Sequence, residues 1–417
     1  MVMAAMVVAL TMGVTHEELG KSTAIFQAGS LASHSQAWKA INAPTLVLSY
    51  IMGVSFSVDL PYSYRIPENS IQSIQERIWI AEEIQRLMDM GAIESCTKDM
   101  VQLISPLKVV PKKQQGEYRL VVNMRKLNSH MTTYSSKLEN VDHLIRAIHK
   151  GCFFMKIDLK NGYFHVPIAQ ECRKYMGIYF NGVFYRYRAL PFGASFAPYV
   201  FNKITKTVSN HLRRIGIMTL VYLDDFIFIF NSAEEAEIQK PVILKLFNDL
   251  GFWVHESKSM LTPSQSVEFL GFQFNSLDMM IRIPPTKVLV LQEQIARVLA
   301  KAKVSQWFVA REAASISGKI LAYMKAFAPA RLMMRPLFRV LKDISATGRT
   351  YCWNFYVYLD AEVLHKLQWV HSNLQQWNGL SLLRPSIVVQ IFSDASSTGY
   401  GFHCQEVTFQ GLWNSQE

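Results

Sequence analysis

The stretch MTLVYLDDFIFIF, Met218 to Phe230, decides how the rest of the chain is read. Two adjacent carboxylates, Asp224 and Asp225, stand in the middle of an almost wholly apolar run. Apolar residues on both sides predict a hairpin with the acids at or beside its turn, exposed at a sheet edge. Neighbouring carboxylates repel, and an ionised carboxylate in an apolar setting is costly unless something compensates. A divalent cation compensates, and so does water if the turn is simply solvated. The choice rests on what else the chain brings to the same place.

Asp158 ends a second apolar run, FFMKIDL, upstream of the first. If the two strands are neighbours in one sheet, Asp158 and Asp224 can jointly hold two Mg²⁺ ions, which activate an attacking hydroxyl and stabilise a leaving pyrophosphate. Phosphoryl or nucleotidyl transfer is the implied chemistry. Taken alone, Asp158 equally suits a helix N-cap for the NGYF segment that follows.

The chain has 417 residues, 50% of them hydrophobic, enough for large cores and for two or three domains. Its formal charge of +11 favours an anionic partner, because a phosphate backbone rewards clustered Lys and Arg through counterion release. Five widely spaced cysteines form no C-x-x-C pair, which argues against a zinc site or a disulfide framework and for a reducing intracellular compartment, cytoplasmic or nuclear. The apolar N-terminus MVMAAMVVALTMGV lacks a basic flank and is too short to span a bilayer, so no membrane partner is expected.

Residues 1 to about 60 show no strong periodicity and read as an appendage. After Ser70, Ile74, Ile78, Ile80, Ile84, Leu87 and Met88 recur at near-helical intervals before Gly91. Ser105 to Asn128 reads as strand, turn at Gln115-Gly116 and strand, with Lys or Arg at 108, 112, 113, 119, 125 and 126 against Glu117. Asn181-Gly182 signals a second hairpin. From Phe153 onward the predicted order is β, α, β, β, α, β. Pro285 to Lys342 turns helical and basic, and SIVVQIFSDASSTGYGF, from Ser386, is a strand that carries Asp394 into a turn.

Y-L-D-D at Tyr222 to Asp225 resembles the Y-x-D-D box of reverse transcriptases, and the family's other boxes stand around it in order. FFMKIDLKNGYFHVPI resembles the first catalytic box, ALPFGASFAPYVF the L-P-x-G box, LGFWVHESKSM the lysine-bearing box and VEFLGF the primer-grip hairpin. KVVPKKQQGEYRLVVNMRKLN resembles the fingers strands. The resemblance covers roughly residues 66 to 275. It implies an α+β right-hand polymerase of fingers, palm and thumb, with a ferredoxin-like palm. The expected divisions are an appendage over 1–60, fingers and palm over 61–275, a helical thumb or connection over 276–385, and an incomplete ribonuclease H-like segment over 386–417.

Carried over residue by residue, the resemblance makes Asp158 and Asp224 metal ligands and Asp225 the third acid. Tyr163 matches the aromatic that blocks a ribose 2′-OH. Lys112 or Lys113, with Arg119, matches the cations that hold the incoming triphosphate. Phe192 and Gly193 fall where the L-P-x-G box shapes the nucleotide pocket, Lys258 where a lysine protonates the leaving pyrophosphate, and Leu270 and Gly271 at the primer grip. Asn123 stands where many relatives carry Asp, which is not a metal position. The implied cofactor is Mg²⁺, with Mn²⁺ as a substitute, and the implied partners are an RNA or DNA template with its primer and deoxynucleoside triphosphates. RNA-directed DNA polymerase is the expected activity, and an idle nucleic-acid-binding retroelement remnant is the alternative. The flanks LASHSQAWKAINAPTLVLSYIMGVSF and EAASISGKILAYMKAFAPARLMMRPLFRVL resemble the DIRS-type, tyrosine-recombinase-encoding retrotransposons. FSDASSTGYGF resembles the start of a ribonuclease H domain, with only a strand or two of that fold and no working hydrolase expected.

Overall fold

A computed structural model describes residues 26–59, 66–71, 73–111, 118–132, 134–383 and 389–413. The chain divides into two compact units, one of residues 1–148 and 152–264, the other of 149–151 and 265–417.

Six elements form the spine of the first unit: β1 (Phe153–Asp158), α1 (Ala197–Arg214), β2 (Met218–Tyr222), β3 (Asp225–Phe230), α2 (Ala233–Asp249) and β4 (Met260–Ser264). Their sheet runs β2-β3-β1-β4 and is antiparallel throughout, which is the ferredoxin-like order expected from the β, α, β, β, α, β reading. The centre of the sheet explains why FIFIF is continuously apolar rather than alternating: all five residues from Phe226 to Phe230 are buried, so both faces of β3 are covered. On one face Phe226, Phe228 and Phe230 stack in a row, and Phe247 of α2 meets Phe226 edge-on at 4.9 Å. Ser232 starts α2 by accepting the Glu235 N–H at 3.0 Å. Asp158 pairs directly with Asp225 in the β1–β3 register, so the acids of both strands emerge at one end of the sheet.

The described part of the expected N-terminal appendage is woven into this core: Phe26, Leu31, Trp38, Ile51 and Val54 are buried with the sheet residues. Its polar side chains finish α2. Ser30 Oγ, His34 Nδ1 and Trp38 Nε1 donate to the carbonyls of Gly251, Asp249 and Leu250 at 2.8, 2.9 and 3.0 Å, acceptors that a helix C-terminus leaves open. Gly251 is required there, since it has φ +83° and a Cβ would lie 2.6 Å from His34.

The helix Ile74–Asp89 buries Ile80, Ile84 and Leu87, whereas Ile74 and Ile78 are exposed. Ile78 lies two residues, roughly 200° of helical turn, away from Ile80, so both cannot face one core. Leu107–Pro111 and Tyr118–Val122 pair as expected, and the turn at Gln115-Gly116 lies outside the described residues. Asn181 and Gly182 form a two-residue loop with φ 47° and 83° between paired Phe180 and Val183.

The second unit begins ten residues before the expected palm boundary, so the VEFLGF hairpin belongs to it. Ser266–Phe269, Phe272–Asn275, Met280–Arg282 and Leu380–Ser381 form an antiparallel sheet. Four long helices, Pro285–Ala302, Ala310–Ala322, Ala330–Ala346 and Ala361–Asn373, account for the helical reading. Beyond them Ile391–Ala395, Gly399–Cys404 and Val407–Leu412 make a three-stranded meander rather than one or two strands. The extra strand follows Gln405-Glu406, a turn without Gly, Pro or Asn, made by Gln405 at φ 54°. Among the described residues no helix is long and apolar enough to cross a membrane.

Candidate active site

Tyr222 pairs with Asp225 and leaves Leu223-Asp224 as a two-residue hairpin tip. Leu223 has φ 56°, a left-handed conformation that costs a bulky residue of order 1–3 kcal/mol and persists only where its surroundings enforce it. Leu223 packs against the core, and the Asp224 carbonyl accepts the Leu159 N–H at 3.1 Å, which ties the tip to the residue after Asp158. Asp158 is pinned on both sides of its peptide: its N–H donates to Ser259 Oγ at 3.0 Å and its carbonyl accepts from His255 N–H at 2.8 Å.

The acids are held at an electrostatic cost. Burial raises the Asp158 pKa, with Asp225 adding to it and Lys258, His255 and Lys156 opposing it. Burial also raises that of Asp224, against its own backbone hydrogen bond, and Asp225 and Asp158 push it further. Asp225 Oδ1 is buried and has no hydrogen-bond partner among the described residues. Lys156 Nζ stands 3.3 Å from that oxygen, in ion-pair range but without hydrogen-bond geometry, so the charge is partly balanced while the lone pairs stay unused. Among the described residues no three His, Cys, Asp or Glu side chains close a metal site by themselves. Mutually repelling carboxylates with an orphan oxygen fit a hard divalent cation that takes one or two carboxylates and completes its shell with phosphate oxygens and water.

Tyr163 lies next to this cluster. Its pKa is pushed up to about 12, by burial first and then by Asp224 and Tyr222. Its ring packs against Phe192 at 4.8 Å and meets Phe201 edge-on at 5.2 Å. Gly162 abuts both: a Cβ there would make only ordinary contact, 3.5 Å from Asp224 Oδ2 and 3.7 Å from Phe192, and it is the φ of +35° that favours glycine. Phe192 is 53% exposed, an aromatic face open for stacking. Gly193, at φ +103°, has its carbonyl held by Asn128 Nδ2 at 2.9 Å, while Asn128 Oδ1 accepts the Ser195 N–H at 2.9 Å.

The structure therefore brings together Asp158, Asp224, Asp225, Tyr163 and Phe192, with Gly193 beside Phe192 and the exposed Lys258 within electrostatic reach of Asp158 and Asp224. Arg119 is exposed on the strand Tyr118–Val122 and makes no described contact with the acids. Lys112 and Lys113 lie outside the described residues. Leu270 and Gly271 form the tip of a hairpin in the second unit, at φ 48° and 87°. Asn123 Oδ1 accepts the Arg125 N–H at 3.3 Å, and Asp394 is exposed with Oδ1 accepting the Ala395 N–H at 2.8 Å.

Sequence reasoning missed the supports of the hairpin. β2 is an edge strand, and Glu139 and Arg213 occupy its open side. Glu139 Oε2 accepts the Val221 N–H at 2.7 Å, Arg213 Nε donates to the Thr219 carbonyl at 2.7 Å, and the two side chains pair at 2.6 Å. An acid before one helix and an arginine at the end of another give no spacing signal. Only the unsatisfied edge of the hairpin pointed to such partners.

Residues 110–274 match the family model described as reverse transcriptase (RNA-dependent DNA polymerase). The enzymatic polyprotein of Figwort mosaic virus (strain DxS) is 25% identical over 334 residues, which are 79% of this chain and 46% of that protein. The retrovirus-related Pol polyprotein from transposon gypsy of Drosophila melanogaster is 28% identical over 221 residues, 52% of this chain and 20% of that protein. The chain thus spans less than half the length of these relatives. A foamy viral protease-reverse transcriptase solved in complex with double-stranded DNA superposes with a TM-score of 0.62 at 17% identity, covering 95% of this chain and 70% of that one. The fold is that of a reverse transcriptase polymerase, and residues 110–274 match the reverse transcriptase domain found in retroelement and viral polyproteins.

Proposed function

We propose that the chain is an RNA-directed DNA polymerase that extends a primer 3′-OH with deoxynucleoside triphosphates. The observation that carries this reading is the convergence of Asp158, Asp224 and Asp225 at one sheet end, with an unused buried oxygen and the aromatic pair Tyr163–Phe192 beside them. Asp158 and Asp224, with Asp225 as third acid, are the groups that would hold divalent metal. Mg²⁺ is the ion proposed, with Mn²⁺ as a substitute. When bound, such ions lower the pKa of the attacking hydroxyl and neutralise charge that develops on the pyrophosphate.

The remaining work falls to the chain's own residues. Tyr163, wedged between Phe192 and Phe201 next to Asp224, excludes a 2′-OH by occupying its space. Phe192 offers a stacking face to the nucleotide or template base. Lys258 is assigned to give a proton to the leaving pyrophosphate, and Arg119 with Lys112 or Lys113 to bind the triphosphate. Leu270 and Gly271 are assigned to the primer end. The finer placement among DIRS-type retrotransposons rests on the two flanking segments, and action in the cytoplasm or nucleus on the cysteine usage.

Primer extension on poly(rA) primed with oligo(dT), with dTTP and Mg²⁺, tests the reading. Extension that is lost in Asp158→Asn is expected. Tight binding of the primed template without any extension, in either Mg²⁺ or Mn²⁺, contradicts it and returns the chain to an idle binding remnant.

A further inference from the structure

His165 is fully buried in the single 3-10 turn Gly162–His165 that carries Tyr163. Both ring nitrogens face backbone: Nδ1 lies 2.7 Å from the Gly162 carbonyl oxygen, and Nε2 lies 3.0 Å from the Trp253 N–H. These partners fix the tautomer. A peptide N–H can only donate, so Nε2 is the bare acceptor and Nδ1 carries the proton donated to Gly162. The Phe26 ring stands edge-on at 5.0 Å and Phe252 tilted at 5.3 Å, an apolar casing that leaves these two bonds as the ring's polar partners. Burial brings the pKa down to about 4, so the neutral form persists at working pH.

The same residue, Trp253, receives the other end of the turn, because its carbonyl accepts the Lys160 N–H at 2.8 Å. Residues 160–165 are therefore clamped to one residue of the neighbouring segment through both of that residue's backbone polar groups. Within the clamp Asn161 has φ 61° and Gly162 φ 35°, left-handed backbone that Asn and Gly adopt more readily than other residues, and the Gly162–Tyr163 peptide leads out of that turn. The carbonyl that His165 holds belongs to that peptide. It is the peptide directly before the Tyr163 Cα, so holding its carbonyl fixes the backbone from which the ring projects beside Asp224.

We propose that His165 is a positioning residue for sugar discrimination: by donating from Nδ1 to the Gly162 carbonyl it fixes the Tyr163 ring at the height where a 2′-hydroxyl collides, while the Trp253 N–H on Nε2 sets the tautomer that makes Nδ1 the donor. This rests on the reading of Tyr163 as the group that excludes ribose. It predicts a division between two conservative replacements. The side-chain amide of Asn reproduces the donor at the Nδ1 position, and that of Gln reaches as an acceptor toward Trp253 but releases Gly162.

The test compares kcat/KM for dTTP and for UTP on one primed poly(rA) template, with melting temperatures measured in parallel. His165→Asn is expected to keep most of the wild-type preference for dTTP, whereas His165→Gln is expected to lose roughly tenfold of it, mainly by admitting UTP. In a Tyr163→Val background His165→Gln should change the ratio no further. If Tyr163→Val leaves the ratio intact, the reading of Tyr163 fails. If Tyr163→Val collapses the ratio while His165→Asn and His165→Gln both keep the wild-type value, His165 is only a core residue and the proposal is overturned. A purely structural role would lower melting temperature and reduce incorporation of both sugars alike, leaving their ratio unchanged, and that outcome also overturns it.

Discussion

Asp225 combines a buried, unbonded oxygen with a nearby lysine, and it raises the pKa of both Asp158 and Asp224. The ionised cluster therefore weakens the fold at neutral pH. Replacing Asp225 by Asn removes one of three like charges, and a gain of up to about 1 kcal/mol is expected after discounting for solvent, or a melting temperature higher by roughly 2–4 °C. Extension activity should fall in the same variant. A lower melting temperature would mean that the Lys156 pair outweighs the repulsion. His165 has the opposite linkage to the acids. Its folded pKa of about 4 lies below its ordinary 6.5, so the unfolded chain takes up the proton first. Its contribution is complete above pH 6.5 and is lost as pH falls toward 4, by an amount on the order of 3 kcal/mol. Replacing His165 by Gln should flatten the acid limb of a stability–pH curve measured by urea unfolding. At this scale the sequence exposed what carries a pattern: the acids of Y-L-D-D and FFMKIDL, and Tyr163 and Phe192 through their boxes. His165 stands inside a box without a signal of its own, because nothing in FHVPI says that both ring nitrogens meet backbone from two segments.

At the level of elements, the hairpin that carries Asp224 and Asp225 is an exposed-edge problem solved by two side chains. Without Glu139 the Val221 N–H loses its acceptor and the Arg213 guanidinium keeps only the Thr219 carbonyl. Glu139→Ala is expected to cost about 2–4 kcal/mol, read as a fall in urea midpoint, and Arg213→Ala a similar amount, with the double variant little worse than either single one. Additive losses would show that the two act separately. Periodicity made the larger elements legible: the strand of FIFIF, the helix around Ile80, Ile84 and Leu87, and the Asn181-Gly182 turn each have a local cause. The N-terminal segment lacked one. Its contacts run through Ser30, His34 and Trp38, spread over a 3-10 turn and a six-residue helix too short for a periodic signal, and their acceptors lie more than two hundred residues away in the chain.

For the molecule as a whole, residues 26–58 belong to the first unit's core, and their removal should unfold that unit rather than free it. A chain beginning at residue 59 is expected to lose its cooperative melting transition in circular dichroism, and an unchanged transition would restore the appendage reading. The positive charge read from composition belongs to this scale too: under the proposed function it would hold a duplex through phosphate contacts that do not depend on the acids. Binding and chemistry are thus expected to be separable. The most direct measurement takes wild type and Asp224→Asn side by side, recording equilibrium binding of a primed RNA template and single-turnover extension of the same primer in Mg²⁺. Binding within about threefold of wild type, with extension reduced by at least about a thousandfold, is the predicted result. Extension retained by Asp224→Asn, or binding lost in proportion to extension, would rule out Asp224 as a metal ligand needed only for chemistry.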